Sequence, residues 1–257
     1  MDLTAAPAIP EQERLVGADR VLAILAELAG HPDGIGLDEM ARAVSSNKAT
    51  VHRALAALRR AGFATQDGRG RYVLGDEYLR LAFAHHEARP DHVRINPVLR
   101  SLAERYGETA HYAVLDGESV VYRSKVDPPH GAVRLTSTIG GRNPAHCTAV
   151  GKLLLSYALP DDTAVQEWVG GRILERRTDR TLTTATKLAQ ALRTIRSRGW
   201  ATDDQENEAG VNCVAVPAFL MSPTVPTGAV SVSAPAYRTP LARLIDDVDA
   251  IREAVAR

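Results

Sequence analysis

The stretch Ser45-Ser46-Asn47-Lys48-Ala49-Thr50-Val51-His52-Arg53-Ala54-Leu55 predicts a short polar turn followed by a helix. Asn47 suits the helix N-cap, because its side chain can accept a hydrogen bond from an amide of the first turn. Apolar residues at helical spacing precede the turn and continue after it as far as Leu58. Two short helices joined by a tight turn are typical of a helix-turn-helix, whose second helix enters the major groove of DNA.

The residues after this helix predict a hairpin, which we interpret as a wing. Strands at residues 63–66 and 71–74 flank the turn Asp67-Gly68-Arg69-Gly70. Between Lys48 and Arg71 there are six basic residues and one acidic residue, which is six minus one, or +5, whereas the whole chain has zero net charge. A compact basic surface on a neutral chain indicates a site-specific DNA-binding protein rather than one that coats nucleic acid.

The candidate DNA contacts lie at the turn, at the start of the second helix and on the wing. An amphipathic helix with a solvated basic face is the alternative interpretation of the same residues. One such unit buries too little surface for specific affinity, so we expect a homodimer on double-stranded operator DNA, with half-sites ~34 Å or a multiple of that apart. The predicted contacts are Ser45, Ser46, Lys48, Ala49, Thr50, His52, Arg53, Arg69 and Arg71.

The length and composition of the chain predict an α+β protein of two domains. The chain has 257 residues, of which 45% are hydrophobic and 24% are charged. We predict a flexible tail at residues 1–14, a winged helix-turn-helix at 15–76, a linker helix within 77–92 that Pro90 ends, and an α+β ligand-binding domain at 93–257. In that domain we predict strands at 109–115, 120–126, 132–136, 199–204, 213–219 and 228–233, a loop at 139–144, and helices at 96–106, 149–159, 161–169, 183–198 and 240–257.

Residues 209–237 contain no charged side chain, which is a feature of membrane spans. Four prolines, at positions 217, 223, 226 and 235, interrupt the segment, so we interpret it as two buried strands joined by a proline-rich turn. The N-terminus lacks the basic region and apolar core of a signal peptide. We therefore expect a soluble, cytoplasmic protein that does not bind membranes.

Two stretches place a cysteine beside polar side chains, namely residues 146–152 and residues 203–217. With only two cysteines and no CxxC, a disulfide framework or zinc finger is not expected. Four interpretations remain. The first is a nucleophilic Cys147 or Cys213 with His146 or His111 as base, although adjacent His and Cys rarely align as a catalytic pair. The second is a metal site formed by His146, Cys147, Asp203, Glu206 and Cys213, or a metal or redox sensor that uses Cys147 and Cys213.

The third interpretation is a pair of small buried cysteines beside a capped helix. The fourth, which we favour, is a small-molecule pocket. In it, the helix after Thr148 would offer its N-terminal amides to an anion, with Asp203 and the hydroxyls of Ser231 and Ser233 nearby. We therefore predict no catalytic residue, no metal and no cofactor.

These stretches together resemble the IclR family of bacterial transcription regulators, from about Leu15 to Ala254. The resemblance implies a winged helix-turn-helix, a linker helix used in dimerisation, a GAF-like effector-binding domain, and dimers that pair into tetramers. It implies a regulator, expected to be a repressor of a catabolic or amino-acid operon, controlled by a small organic or aromatic acid. The matching stretches are residues 18–25, Lys48-Ala49-Thr50-Val51-His52-Arg53-Ala54-Leu55, residues 70–75, Gly151-Lys152-Leu153-Leu154-Leu155, residues 210–217 and Val230-Ser231-Val232-Ser233.

The resemblance also implies the positions of the effector site. Two departures from the family pattern bear on which effector binds. Val150 stands where a small residue is common and is expected to narrow the pocket, and Asn212 stands where a basic residue is common. The implied effector contacts are Ala149, Val150, Asp203, Val211, Cys213, Ser231 and Ser233.

Overall fold

The computed structural model describes residues 17–87, 90–128 and 135–256. The tail predicted at residues 1–14 lies outside the described residues, as does most of the strand predicted at 132–136. The chain divides into two compact units, Met1–Glu87 and Ala88–Arg257. Among the described residues, the first unit has one apolar core and the second has two.

The first unit is a helix-turn-helix with a wing. Three helices pack around its core, to which the third helix contributes Val51, Leu55 and Leu58. Spacings of four and three residues place these three side chains on one helix face. The wing strands pair antiparallel, with Thr65 opposite Val73. The elements are α1 (Gly17–Ala29), α2 (Leu37–Ala43), α3 (Lys48–Arg60), β1 (Ala64–Gln66), β2 (Tyr72–Leu74) and α4 (Asp76–Glu87).

The second unit is built on a six-stranded antiparallel sheet. Its strands are β3 (Thr109–Asp116), β4 (Ser119–Val126), β5 (Arg142–Pro144), β6 (Ala201–Asp204), β7 (Val211–Ala218) and β8 (Gly228–Pro235), and they lie side by side in the order β5-β4-β3-β8-β7-β6. Its helices are α5 (Pro90–Tyr106), α6 (Ala149–Ala158), α7 (Asp162–Val169), α8 (Ala185–Arg198), α9 (Leu241–Asp246) and α10 (Val248–Ala256), with a short 3-10 helix at Ala145–Cys147.

Helices cover both faces of this sheet, because successive side chains of a strand point to opposite faces. One face carries Val214, Val216, Val230 and Val232, which form a core with α5, α9 and α10. The other face carries the alanines of a second core, which packs against α6, α7 and α8. The sheet therefore separates two apolar layers, and its α6 side also contributes residues to a cavity.

The predicted α+β fold is confirmed, but three predicted elements differ from the structure. The helix at 96–106 begins at Pro90 instead, since proline is tolerated in the first helical turn, where its missing amide costs no hydrogen bond. The loop predicted at 139–144 includes strand β5, which pairs with β4 through Asn143 and Val120. The helix predicted at 240–257 is two helices, since α9 ends at Asp246 and α10 starts at Val248.

The uncharged segment at residues 209–237 forms the neighbouring strands β7 and β8, as predicted. In the parts of the chain that the structure describes, no helix is both long enough and apolar enough to cross a membrane.

Candidate nucleic-acid interface and ligand cavity

The turn between α2 and α3 is fixed by local hydrogen bonds. The Asn47 side chain accepts a hydrogen bond from the Thr50 amide at 2.9 Å, as a helix N-cap does. Ser45 has a φ of 48°, in the left-handed region, and the Ser46 amide donates to the Ala41 carbonyl at 2.9 Å. The turn therefore directs α3 across α2, and the start of α3 is exposed.

The outer face of α3 presents polar and basic side chains. Lys48, Ala49, His52 and Arg53 are exposed, and Thr50 is half-buried. Lys48 Nζ lies 2.8 Å from a carboxylate oxygen of Asp38 on α2. Arg53 Nη2 donates to Thr50 Oγ1 at 3.4 Å. Both cations remain at the surface. The exposed Lys48–Asp38 ion pair contributes little stability, so a DNA phosphate can replace Asp38 as the partner of Lys48.

The two wing arginines have different surroundings. Arg69 is exposed, and its backbone amide donates to Asp67 Oδ1 at 2.9 Å, which shapes the turn. Arg71 turns back towards the helices. Its Nε donates to the Gly34 carbonyl at 3.0 Å, and Nη2 lies 3.7 Å from Glu39 Oε2. The Arg71 side chain therefore ties the wing to the start of α2, whereas Arg69 extends into solvent.

A cavity of about 180 Å³ opens on the α6 side of the large sheet, in the second unit. Three predicted effector contacts line it, namely Val211, Cys213 and Ser233. The structure adds lining residues from β3, β4, β5 and the segments that follow β4, α7 and β6. These include His111, Tyr122, Ser137, Arg142, Asn143, Arg177 and Glu208.

The other four predicted effector contacts lie outside this lining. Asp203 pairs with Cys213, and Ser231 pairs with His111, so both share the sheet face that carries the cavity. Ala149 and Val150 are the first two residues of α6, and both are buried in the apolar core. At this position the Val150 side chain contributes to packing rather than to the cavity wall.

His111 is a neutral polar group in the cavity wall. Its Nε2 lies 2.7 Å from Ser137 Oγ, and its Nδ1 lies 3.4 Å from Ser233 Oγ. Burial, together with the nearby charge of Lys125, lowers the pKa of His111 from 6.5 to about 3. The imidazole can therefore exchange hydrogen bonds with a ligand without adding a charge at neutral pH.

Asp203 is buried beside Cys213. Its Oδ1 accepts hydrogen bonds from the backbone amides of Glu206 at 2.6 Å and Asn207 at 3.4 Å. Burial nevertheless raises the pKa of Asp203 from 3.8 to about 7, although Lys152 opposes the change. The side chains of Lys152 and Glu206 form a buried ion pair next to this carboxylate.

The cysteines lack the surroundings of a nucleophile or of a metal ligand. Burial raises the pKa of Cys147 to about 12 and that of Cys213 well above its usual value, so both remain thiols. His146 Nε2 donates to the Glu175 carbonyl at 2.9 Å. Within the described residues, no group of three or more His, Cys, Asp or Glu side chains is arranged to hold a metal ion.

The start of α6 also differs from the anion site expected there. Thr148 Oγ1 accepts a hydrogen bond from the Gly151 amide at 3.0 Å and so caps the helix internally. Ala149, Val150 and Gly151 are buried under neighbouring residues. The cavity is therefore lined by strand and loop side chains rather than by this helix end.

Comparisons with known proteins match both units. The family model described as "IclR helix-turn-helix domain" matches residues 17–68. The model described as "Bacterial transcriptional regulator IclR C-terminal" matches residues 92–257. The HTH-type transcriptional regulator BhcR of Paracoccus denitrificans is 35% identical over 237 residues, which is 92% of this chain and 83% of BhcR.

Solved structures have the same fold. A transcriptional regulator from Rhodococcus sp. RHA1 superimposes with a TM-score of 0.80 and 28% identity, over 92% of this chain and 94% of that protein. An IclR homologue from Microbacterium hydrocarbonoxydans, solved in complex with 4-hydroxybenzoate, gives a TM-score of 0.77 over 92% of this chain and 96% of that one. At 22% identity, the second likeness shows the fold alone.

Proposed function

Because this chain belongs to the IclR family, and is therefore a DNA-binding transcriptional regulator, we propose that it is a repressor released from its operator by a small organic or aromatic acid. The observation that supports DNA binding most directly is the capped α3, whose exposed N-terminal face carries Lys48, Thr50 and Arg53. These residue types bind phosphates and base edges in a major groove. Arg69 on the wing extends this surface towards the flanking backbone.

The DNA proposal is tested with Arg53→Ala and a duplex that the protein selects from a random-sequence pool. Arg176→Ala is the matched control, because it removes an exposed arginine from the second unit. Fluorescence anisotropy over a range of salt concentrations should show weaker operator binding by Arg53→Ala. If the guanidinium contacts a guanine, the variant should lose ~1–3 kcal/mol of binding free energy. If it contacts a phosphate, the salt slope of binding should fall by about 1. Equal affinities and salt slopes for the two variants would count against α3 as the reading helix.

The size and the lining of the cavity support a small acid as the effector. A cavity of ~150 Å³ holds a benzene ring, so the 180 Å³ here suits a ring-sized molecule or a short-chain acid. Arg177 and Arg142 supply two positive charges to the lining, against the one negative charge of Glu208, and Asn143 and Ser137 supply further hydrogen-bond donors. Val211 offers an apolar contact to the body of such a ligand. A carboxylate bound by a guanidinium gains charge-assisted hydrogen bonds that a neutral analogue does not make.

Thermal-shift and calorimetric titrations with benzoate, 4-hydroxybenzoate and neutral benzamide test the effector proposal. An acid present at 100 times its dissociation constant should stabilise the native state by ~2.7 kcal/mol. Arg177→Gln should weaken binding of the acid, whereas Arg176→Gln, one residue away and outside the cavity lining, should not change it. The binding acid should also raise the dissociation constant for the operator, since linkage between two ligands is reciprocal. Tighter operator binding with the acid present would exclude release as the mode of control.

We further propose that the repressor is at least a homodimer formed through α4. Leu79 and Phe83, four residues apart on this helix, are 50% and 60% exposed. A helix face of this kind is expected to be covered by another chain. Light scattering should show Leu79→Glu at a lower mass than the wild type, with weaker operator binding, whereas Ile173→Glu, at another exposed apolar site, should leave the mass unchanged. A wild-type protein that is monomeric at micromolar concentration would rule out this proposal.

A further inference from the structure

A second concave site lies in the same domain, at the far end of the sheet from the effector cavity. It is a groove of about 640 Å³ between the C-terminal ends of α6, α8 and α10 and the end of β7. Pro217 lines this groove, whereas Cys213 lines the effector cavity. The two residues are four positions apart on β7, or ~13 Å at ~3.3 Å per residue. The groove is within the range of volumes typical of ligand sites.

The groove is strongly cationic. Arg196, Arg198 and Arg252 all line it, and no described residue of the lining is Asp or Glu. Arg252 is paired with Asp249 at 2.9 Å. Arg196 and Arg198 instead donate hydrogen bonds to neutral groups. Three arginine side chains with one carboxylate give a side-chain charge of about +2. The carbonyl ends of the three helices offset part of this charge, and the remaining positive charge favours an anion.

The arginines are held in place by backbone carbonyls. Arg196 donates to the Leu159 carbonyl at 2.7 Å, and Arg252 donates to the Arg198 carbonyl at 3.3 Å. The guanidinium carbon of Arg198 lies 3.6 Å from the centroid of the Trp200 ring. A guanidinium has five N–H donors, so each arginine keeps donors for a ligand while its orientation is fixed. Such preorganisation lowers the entropic cost of binding.

One wall of the groove is aromatic. The rings of Tyr157 and Phe219 meet edge to face with their centroids 6.1 Å apart, and the two side chains are 43% and 42% exposed. Aromatic rings pack favourably with other planar rings. The groove therefore combines positive charge with a surface for a flat apolar group.

From this combination we propose that the groove binds a small aromatic phosphate, of the aryl or nucleoside phosphate class, as a second ligand of the domain. Two or more guanidiniums bind the phosphate group, because their planar N–H pairs match its oxygens and its charge. The ring packs against Tyr157 and Phe219. This site uses none of the residues that line the effector cavity.

Calorimetric titration of the full chain with phenyl phosphate tests the proposal, with inorganic phosphate and phenol as separate probes. Phenyl phosphate should bind one site per chain and more tightly than inorganic phosphate, and phenol should not bind. Arg196→Gln should raise the dissociation constant of phenyl phosphate about tenfold, as expected for the loss of a charge-assisted hydrogen bond. Arg196→Lys should lose less affinity than Arg196→Gln, because lysine keeps the positive charge but not the paired planar donors. The matched control is Arg193→Gln on the same helix, because Arg193 pairs with Asp162 outside the groove and its loss should have no effect.

Three results would overturn the proposal. The first is the absence of saturable phenyl phosphate binding by the folded wild type. The second is an equal loss of affinity in the Arg196 and Arg193 variants, since that would indicate a general charge effect. The third is a loss of phenyl phosphate binding in Arg177→Gln but not in Arg196→Gln, since the ligand would then occupy the effector cavity. If the arginines only cap helix ends, Arg196→Gln will lower the melting temperature and phenyl phosphate will not bind the wild type. Benzoate binding by the wild type and by Arg177→Gln tests the proposed effector cavity, and its result does not depend on the results with phenyl phosphate.

Discussion

His111 and Asp203, both buried on the α6 side of the sheet, should make the stability of the second unit depend on pH in opposite directions. Burial lowers the pKa of His111 from 6.5 to about 3. As pH falls from 6.5 towards 3, the unfolded chain binds a proton that the folded chain does not, so His111 reduces stability. Burial raises the pKa of Asp203 from 3.8 to about 7. As pH rises from 3.8 towards 7, the unfolded chain releases a proton that the folded chain keeps, so Asp203 also reduces stability.

The size of each effect follows from the gap between the folded and unfolded pKa values, at about 1.36 kcal/mol per pH unit. For Asp203 the gap between 3.8 and about 7 corresponds to ~4 kcal/mol, and for His111 the gap between 6.5 and about 3 corresponds to ~5 kcal/mol. The two pH windows overlap between about 4 and 6.5. In that range the contributions have opposite slopes, so together they should leave the free energy of unfolding almost independent of pH.

The variants Asp203→Asn and His111→Gln separate the two contributions. The asparagine side chain of the first variant keeps an oxygen that can accept the hydrogen bond from the Glu206 amide. Urea unfolding followed by tryptophan fluorescence measures the second unit alone, because both tryptophans of the chain, at positions 168 and 200, lie in it. Between about pH 4 and 7, Asp203→Asn should gain ~4 kcal/mol relative to the wild type, and between about pH 4 and 6.5, His111→Gln should lose ~3 kcal/mol.

The double variant should be as insensitive to pH as the wild type, because each change removes one of two opposing slopes. Taking differences from the wild type at each pH removes the contributions of all other titrating groups. If both single variants differ from the wild type by amounts that do not change with pH, the two groups titrate normally in the folded protein and the reasoning is refuted.

Three further substitutions test the roles of the wing and of the start of α6. Arg71→Ala removes the hydrogen bonds to the Gly34 carbonyl and should raise the hydrogen-exchange rates of the wing amides, whereas Arg69→Ala should leave these rates unchanged and lower the salt slope of operator binding by about 1. Gly151→Ala places a Cβ 2.2 Å from the Ala145 carbonyl oxygen and should cost ~3 kcal/mol of stability, measured by tryptophan fluorescence in urea; a loss below ~1 kcal/mol would show that the backbone adjusts.

Most of the fold could be predicted from the sequence because its signals are local. The cap at Asn47, the apolar stripe of α3 and the glycine-containing wing turn each depend on residues only a few positions apart. Pro90 shows the limit of such reasoning. Proline ends one helix and can also begin the next, and the sequence on both sides is helical. The choice between the two depends on packing of α5 against the sheet, which local patterns do not reveal.

The lining of the proposed effector cavity could be predicted only in part, for a related reason. Val211, Cys213 and Ser233 belong to stretches that resemble a known family. The sequence suggests His111 only as a catalytic base, and it does not single out the other polar lining residues, Tyr122, Asn143 and Arg177. His111 joins the site because β3 pairs with β8 and places it opposite Ser231, 120 positions later. This register is set by the whole sheet. A polar residue in the otherwise apolar stretch of β3 was the available signal.

The same sheet face forms both an apolar core and a cavity because its residues change along the strands. At one end it carries Ala113, Ala215 and Ala229, whose small side chains belong to the core under α6. Towards the other end the neighbouring positions are occupied by His111 and Ser233. Buried polar atoms need hydrogen-bond partners, and an apolar helix cannot supply them. The loop residue Ser137 supplies one to His111, and a bound acid can supply others, so the change from alanine to polar residues decides where a ligand can bind.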